Sequence, residues 1–383
     1  MNILQVIPYF NPKLGGDVNV AYNISKHLIR EGHNVTIITT DFEFDEDYAN
    51  TIPEVNIVIF KCIVNIIFFL YSPGMKKWLK RDLRNFDIVH LHDFRSYQNI
   101  IVQKFACESK VPFIIHGHGS VAKVGKKWLK KLYDFFWGKR GLNSASGLIA
   151  VSKEEFNHFV KAGAEKNKIR LIYNGVDPTD FLKNDQKDYF RKKYGLKNKI
   201  ILYLGRIHQT KGLDFLLEAF SNLDIKVKEN SSLVLIGSDE GYKRNLIKLS
   251  KDLDIEKYIH FIGYVDKKEK ISAYYDANVL VNPARYMAGV SLVTVESLLC
   301  YLPVITTTES GEIIQRLKAG FIVNYGDVNN LKEKISYSLE EQTEINEMTK
   351  RGRNFILENL TWDKVIQQNI ELYQKVMREK TFT

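Results

Sequence analysis

Apolar runs of three to five residues alternate along the chain with longer segments in which apolar residues return every three or four positions. In the first half the runs are 3–7, 35–39, 87–90, 113–116, 148–151 and 169–173; in the second they are 200–204, 233–236, 259–261, 279–281, 304–306 and 321–323. A short continuous apolar run bounded by turn residues reads as a strand covered on both faces, and a 3.6-residue period reads as a helix with one buried face. Their alternation predicts an α/β fold in which each half is a parallel sheet wrapped by helices. The polar stretch from Asp177 to Lys199, with Pro178, Asn184, Asp185 and Gly195, reads as linker and turn. The expected domains are therefore 1–177 and 178–360. A C-terminal segment, about 361–383, carries Ile366, Ile370, Tyr373 and Val376 on one helical face and is expected to cross back onto the first domain. No residue-level repeat links the halves, so the doubling is one of fold. Open parallel sheets place ligand sites at the carboxyl ends of their strands, which predicts an active site in the cleft between two facing domains.

Composition narrows the class. A chain of 383 residues with 45% hydrophobic content can bury a large core. Cys62, Cys107 and Cys300 are few, odd in number and without CxxC spacing, which suits a reducing cytoplasm and offers no metal ligand set. Met1 runs straight into the first apolar strand with no basic leader, which argues against a secretory signal. The longest apolar run, Cys62 to Tyr71, is short of the roughly 20 residues a spanning helix needs. The net charge of +10 points to an anionic partner without saying which.

Candidate chemistry sits where strands become helices. Between Asn282 and Pro303 an apolar run ends at Pro283 and helical spacing begins at Ser291, which places Gly289 near a helix start. Backbone N–H groups there lack intrahelical partners and can cradle an anion or hydroxyls, so Gly289, Val290 and Ser291 are candidate ligand contacts. Glu296, inside that helix, can accept two hydrogen bonds from a vicinal diol; the plain alternative is a solvated surface carboxylate. Gly15 and Gly16 precede a helix with Ala21, Ile24, Leu28 and Ile29 on one face, and either allow close ligand approach or make a tight turn. Arg206 follows a strand directly, and Lys211 precedes the helix of Leu213, Leu216, Leu217 and Phe220. Two cations at one strand end suit a diphosphate, against the usual fate of Lys and Arg as exposed loop charges.

The ordered set Gly15-Gly16, His118-Gly119, Ala150-Val-Ser152, Ile172-Tyr-Asn-Gly-Val-Asp177, Gly205-Arg206 with Lys211-Gly212, Phe261-Ile-Gly-Tyr-Val265, and Glu296 with Pro303-Val304 resembles the family four retaining glycosyltransferases of the GT-B fold, over nearly the whole chain. The resemblance implies two Rossmann-like doubly wound domains facing across a cleft. It implies a nucleoside-diphosphate sugar, UDP or GDP, as donor and no metal or other cofactor. Arg206 and Lys211 would neutralise the departing diphosphate, Glu296 would hold the ribose hydroxyls, and Tyr264-Val265 would lie beside the base. His118 would approach the donor from the first domain, and Gly15 and Gly16 would lie close to the phosphates. Ala288, Gly289, Val290, Ser291, Leu292 and Val293 would line the donor-binding turn. The family places a second glutamate eight positions before Glu296, where this chain has Ala288. Either the chain is divergent, a non-catalytic sugar-nucleotide binder, or it carries an engineered Glu-to-Ala change; retention of the other donor positions favours the second.

Competing signals are weaker. Gly117-His-Gly-Ser-Val-Ala122 fits a dinucleotide pattern but follows a late strand, with no ribose-binding acid after it. Asp45-Glu46-Asp47 and Asp252-Leu-Asp254 imitate a metal-binding DxD and read better as solvated turns. His90, His92, His116 and His118 lack the ligand order of a zinc site. The segment from Val121 to Gly141 interleaves seven Lys and Arg residues with Trp128, Tyr133, Phe135, Phe136 and Trp137, and reads as an interfacial surface for an anionic membrane. No nucleic-acid module accompanies it. Cys62 to Tyr71 followed by Lys76-Lys-Trp-Leu-Lys-Arg81 repeats that chemistry, with a helix half-buried against the sheet as the plain alternative. The expectation is a cytoplasmic protein, peripheral at the inner membrane face, with a lipid-linked or glycan acceptor.

Overall fold

A computed structural model describes residues 1–66, 69–122, 127–182, 187–285, 291–340 and 343–381. The chain divides into two compact units, one formed by Met1–Gly175 with Trp362–Thr383 and the other by Val176–Thr361. Each is built on a parallel sheet, because its strands alternate with helices that must return along one face or the other.

The first unit holds β1 (Asn2–Val6), β2 (Asn34–Thr40), β3 (Asn56–Phe60), a two-stranded antiparallel hairpin of β4 (Val64–Ile66) and β5 (Phe69–Tyr71), then β6 (Ile88–His92), β7 (Phe113–His116), β8 (Gly147–Ala150) and β9 (Ile169–Leu171). Its sheet runs β3-β2-β1-β6-β7-β8-β9. The second unit holds β10 (Lys199–Leu204), β11 (Ser231–Ile236), β12 (Ile259–Gly263), β13 (Val279–Asn282), β14 (Val304–Thr307) and β15 (Phe321–Val323), in the order β12-β11-β10-β13-β14-β15. In both sheets the strands are parallel and the strand order reverses beside the first strand, between β1 and β6 and between β10 and β13, and such a reversal opens a crevice at the strand ends. These are two doubly wound Rossmann-like units, as the sequence pattern implies.

Three sequence expectations need correction. The first sheet has seven strands where six were expected; β3 escapes the pattern because its side chains are only partly buried, as befits an edge strand. The run from Cys62 to Tyr71 is not a half-buried helix: its described residues form the β4–β5 hairpin, and helix begins only at Pro73. The stretch read as linker is part of the second unit. There the backbone N–H groups of Asp188 and Arg191 donate to Asp276, and the Arg191 guanidinium donates to carbonyls of Leu196, Asn198 and Asp276.

The helix Trp362–Thr381 belongs to the first unit's core. Val365, Ile366, Ile370, Tyr373 and Val376 are buried against Ile3, Ile24 and Leu28, the last two from the helix Gly16–Arg30. Each such side chain contributes about 1.5–3 kcal/mol on burial. Trp362 stacks on His27, with ring centroids 6.0 Å apart, and lies over Gly175, where a Cβ would meet its indole at 2.5 Å. Gly175 is thus a glycine because the returning helix covers it.

Candidate functional site

The second unit's strand ends carry the charged groups. Gly205 and Arg206 leave β10 directly, and a short turn, Gln209–Lys211, leads through Gly212 into the helix Leu213–Ser221. Gly212 takes a φ of +67°, and a Cβ there would sit 2.0 Å from the Pro283 carbonyl oxygen, so only glycine lets this turn close on the end of β13. That closure fixes Lys211. It is half-buried, has no ion-pair partner among the described residues, and burial with the nearby Arg206 charge pushes its pKa below the usual lysine value. Arg206 is 63% exposed and pairs with Glu240 at 2.8 Å. A second pair, Arg285 with Asp214, braces the same end: Arg285 follows β13, donates its backbone N–H to the Thr210 carbonyl, and lies over the Tyr325 ring.

Arg206 shares a cavity of about 450 Å³ with Gly205, Gly237, Tyr264, Val265 and Lys270, at the ends of β10, β11 and β12. Tyr264 is 85% exposed and Val265 is buried. Beside them the helix Lys267–Asp276, closed at its start by an Asp266–Glu269 capping box, presents Lys270 and Tyr274 one turn apart. Both reach Glu296 on the helix Leu292–Leu299: Lys270 Nζ donates to Oε1 and the Tyr274 hydroxyl to Oε2, each at 2.8 Å. Burial and the Glu296 charge hold the Tyr274 phenol well above its usual pKa, so it remains a donor. Among the described residues each Glu296 oxygen accepts one hydrogen bond, and a carboxylate oxygen can accept a second.

Ser291 is buried at the N-cap of the Glu296 helix, Leu292 is exposed and Val293 half-buried. Ala288, Gly289 and Val290, named for the donor-binding turn, lie outside the described residues.

The first unit's strand ends are of a different kind. Gly15 caps the helix Gly16–Arg30 without a side-chain bond. A Cβ on Gly15 would strike Asp17 Oδ1, whereas one on Gly16 would meet no protein atom within 4 Å, so Gly16 faces open space. Asp17 and Asp93, at the ends facing each other across the reversal point, hydrogen-bond side chain to side chain, and burial followed by this proximity lifts the Asp93 pKa well above the carboxylate range. Glu155 accepts from the backbone N–H groups of Gly119 at 2.5 Å and Val151 at 2.9 Å; burial lifts its pKa to about 7. The first of these bonds holds the loop in which His118 takes a left-handed φ of 50°.

Four histidine rings form two hydrogen-bonded pairs here. His92 Nδ1 lies 2.8 Å from His118 Nε2, and His92 Nε2 lies 2.5 Å from Gln5 Oε1. His90 bonds through Nδ1 to the Tyr373 hydroxyl at 2.6 Å and through Nε2 to His116 at 3.2 Å. The rings also stack, His90 on His92 at 4.4 Å and His116 on His118 at 3.8 Å. Nitrogens of His90, His92 and His116 lie within 4.8 Å of one another. Hydrogen bonds already occupy both nitrogens of His90 and His92, and near-parallel stacking keeps those rings from converging on one point, unlike a tetrahedral metal site. Burial pushes His90 and His118 down to about 3, so these rings are neutral at physiological pH.

Sequence reading singled out Arg206, Lys211, Tyr264, Val265, Glu296, Gly16 and His118. It missed Glu240, Lys270, Tyr274, the Arg285–Asp214 pair, Asp17, Asp93, Glu155, Gln5 and His92 as a bonded set. Lys270 and Tyr274 were signalled by their i,i+4 spacing, but nothing in the sequence names Glu296 as their target.

Residues 14–180 match the profile of Glycosyltransferase Family 4, and residues 185–355 that of Glycosyl transferases group 1. The chain is 24% identical to N-acetyl-alpha-D-glucosaminyl L-malate synthase of Bacillus anthracis, over 96% of both chains. Among solved structures it superposes on Anabaena HepE, crystallised with UDP, with a TM-score of 0.79 at 17% identity, covering 98% of this chain and 100% of the other. It also superposes on WaaG, a glycosyltransferase involved in lipopolysaccharide biosynthesis, with a TM-score of 0.68 at 16% identity over 99% of both. At such identities these two structures establish a shared fold.

Proposed function

From the premise that the chain belongs to the family 4-like glycosyltransferases of the GT-B fold, we propose that it is a retaining, metal-independent transferase. Its donor would be a nucleoside-diphosphate sugar and its acceptor a lipid-linked or glycan molecule at a membrane surface. The observation that carries the donor half is the cavity joining Arg206 to Tyr264, Val265 and Lys270, with Lys211 and the diol-ready Glu296 on the same unit. The complex of HepE with UDP-glucose favours UDP over GDP for this chain.

The chemistry needs no protein nucleophile. As the bond from the anomeric carbon to the diphosphate oxygen lengthens, negative charge grows on the diphosphate, and Arg206 with Lys211 is preorganised to stabilise it. An acceptor hydroxyl attacks the carbon on the face the diphosphate leaves, and its proton passes to a diphosphate oxygen, so configuration is retained. Glu296 fixes the nucleotide, which converts binding energy into positioning of the sugar.

Ala288 bears on rate. Restoring the carboxylate with Ala288→Glu should raise donor hydrolysis or transfer about 10- to 100-fold, since a hydrogen bond from a sugar hydroxyl to a charged acceptor contributes about 1.5–3 kcal/mol. The assay is release of UDP or GDP from labelled sugar nucleotides, with and without chelator. An unchanged rate across the donor panel supports a non-catalytic binder, and loss of donor binding in chelator contradicts metal independence.

Two surfaces of the first unit support a membrane-bound acceptor. Trp128, Phe135, Phe136 and Trp137 are exposed beside Lys131, Lys139 and Arg140. Ile63, Val64, Ile66, Phe69 and Tyr71 are exposed on and beside the β4–β5 hairpin, next to Lys76, Lys77, Lys80 and Arg81. Both elements lean on the helix Tyr97–Ser109, through Tyr71 against Tyr97 and Gly141 against Gln103. Lys130 donates to the Ala122 carbonyl and serves the fold as well. No helix among the described residues is long and apolar enough to cross a membrane. The chain should sediment with anionic but not zwitterionic vesicles, less so in salt, and less after joint neutralisation of Lys131, Lys139 and Arg140, each contributing about 1 kcal/mol. Equal or absent binding to all vesicles favours a soluble acceptor, the reading suggested by the malate of the Bacillus relative's product.

A further inference from the structure

Arg206, one of the two cations offered to a diphosphate, already has an anion beside it. Its Nη1 donates to both oxygens of Glu240, at 2.8 and 3.0 Å, in a pair at the surface, Arg206 63% and the Glu240 side chain 35% exposed. Lys211 feels the same carboxylate: burial and the Arg206 charge lower its pKa, and the Glu240 charge acts against both. One carboxylate is therefore felt by both cations. That is the wrong charge for an element whose sole task is to bind phosphate, since it repels every anion the cations attract.

The fold puts it there. The Ile207 N–H donates to the Ser238 carbonyl at 2.8 Å and the Glu240 N–H to the Ile207 carbonyl at 3.0 Å, so the loops leaving β10 and β11 stay paired beyond the strand ends. Asp239 Oδ1 accepts from the backbone N–H groups of Gly241, Tyr242 and Lys243, which fixes the turn on the far side of Glu240. A Cβ on Gly237 would lie 1.9 Å from the Gly205 carbonyl oxygen, so the two loops approach as closely as glycine allows. With its backbone held on both sides, Glu240 stays beside Arg206 when a ligand arrives. The ion pair itself is weakly committed. A guanidinium grips a carboxylate best through two of its nitrogens; here Nη1 alone serves both oxygens, and an exposed pair contributes little to the fold. Glu240 is thus poorly suited to bracing Arg206 and well placed to oppose an anion.

We infer that Glu240 is a specificity residue that opposes the free nucleoside diphosphate more than the sugar nucleotide, and so favours departure of the spent product and its replacement by fresh donor. The inference rests on the donor reading above and stays within the second unit. In the donor the sugar caps the terminal phosphate. In the product that phosphate is free and titrates at about pH 6, so at neutral pH the product carries close to one further negative charge. A fixed anion repels in proportion to the charge it meets. Arg206 and Lys211 alone would do the reverse and hold the more highly charged product the more tightly; Glu240 offsets that bias.

The experiment is calorimetric titration of the full chain, at about pH 7.5 and low salt, where exposed charges are least screened. The ligands are UDP-glucose, UDP and the methyl ester of UDP, whose terminal phosphate has the donor's charge without the sugar; the guanosine series takes their place if that is the nucleotide that binds. Glu240→Gln should tighten UDP about tenfold, and UDP-glucose and the methyl ester about threefold each, the difference being the weight of one further charge at an exposed site. Glu240→Ala removes the same charge and should shift all three ligands in the same sense. Melting curves show which variant is folded, and either one alone decides the outcome. Weaker binding of all three ligands makes Glu240 a brace for Arg206 and overturns the inference. Equal tightening of all three, or a methyl ester that follows UDP, overturns it as well, because charge is then not what Glu240 reads. These results leave the donor reading standing. Failure of both nucleotide series to bind parent and variants alike overturns the donor reading and the inference together.

Discussion

At the strand ends of the first unit, His90, His92, His116 and Glu155 are buried and bonded largely to other parts of the same unit; at those of the second, Arg206 stands 63% exposed and Lys211 has no ionic partner among the described residues. The same topology produces both ends, so the difference lies in what is placed on it. In the first unit burial shifts histidines and acids towards their neutral forms, producing a polar wall suited to hydroxyls. In the second unit Arg206 is exposed but paired with Glu240, and Lys211 has no ionic partner among the described residues, which leaves Lys211 the cation ready to meet a diphosphate. Two copies of one architecture thus carry different groups at their strand ends: neutral, buried histidines in the first, and Arg206, Lys211 and the Glu296 carboxylate in the second.

The largest effect that would sharpen this division is on Glu296. Glu296→Gln removes the anionic acceptor for the ribose diol and should weaken nucleotide binding about 10- to 30-fold, or about 1.5–2 kcal/mol, as read by calorimetry. Tyr274→Phe, which loosens one oxygen of the same carboxylate, should cost about threefold. If Tyr274→Phe equals Glu296→Gln, orientation outweighs the charge and the account of the diol site is wrong.

A smaller effect separates the first unit. Glu155 holds its proton more tightly folded, near pH 7, than at its ordinary 4.5, so its contribution to stability is full below about 4.5 and is lost as pH rises through about 7. The shift corresponds to about 3 kcal/mol at most. Glu155→Gln cannot ionise and can accept from only one of Gly119 and Val151 with its single carbonyl oxygen. It should melt lower at pH 5 and lose stability less steeply between pH 5 and 7, with nucleotide affinity unchanged. Asp17 and Asp93 titrate in the same direction, so the slope should flatten without vanishing. A variant with the parent's slope would remove Glu155 as a titrating brace.

What was legible in the sequence follows the same division. The second unit's six strands and the positions of Arg206, Lys211, Tyr264 and Glu296 can be read locally, because the first three lie within two residues of a strand end or a helix start and Glu296 lies inside a helix whose apolar spacing is plain. The first unit's site is assembled across the sheet: Gln5, His92, His118 and Glu155 meet only through the register of β1, β6 and β7 and the loop after β7. Two His-x-His pairs were visible, but which nitrogen faces which depends on strand neighbours that no periodicity specifies. Glu155 shows how a local signature can mislead. Ser152-Lys-Glu-Glu155 fits a capping box, and Ser152 does cap the helix Lys153–Lys161, yet the Glu155 carboxylate turns instead to Gly119 and Val151. The half-buried helix offered as the plain alternative for Cys62 to Tyr71 fails because the apolar side chains of β4 and β5 are mostly exposed, the reverse of what a core pattern assumes.

The central claim, that the diphosphate is held by the second unit and not by the histidines of the first, is tested most directly by calorimetric titration of UDP and GDP into the parent chain, Lys211→Ala and His118→Ala. The account predicts that the nucleotide which binds the parent loses at least tenfold in affinity with Lys211→Ala, about 1.4 kcal/mol or more, and stays within threefold with His118→Ala. Unchanged affinity with Lys211→Ala, or a loss confined to His118→Ala, would contradict it.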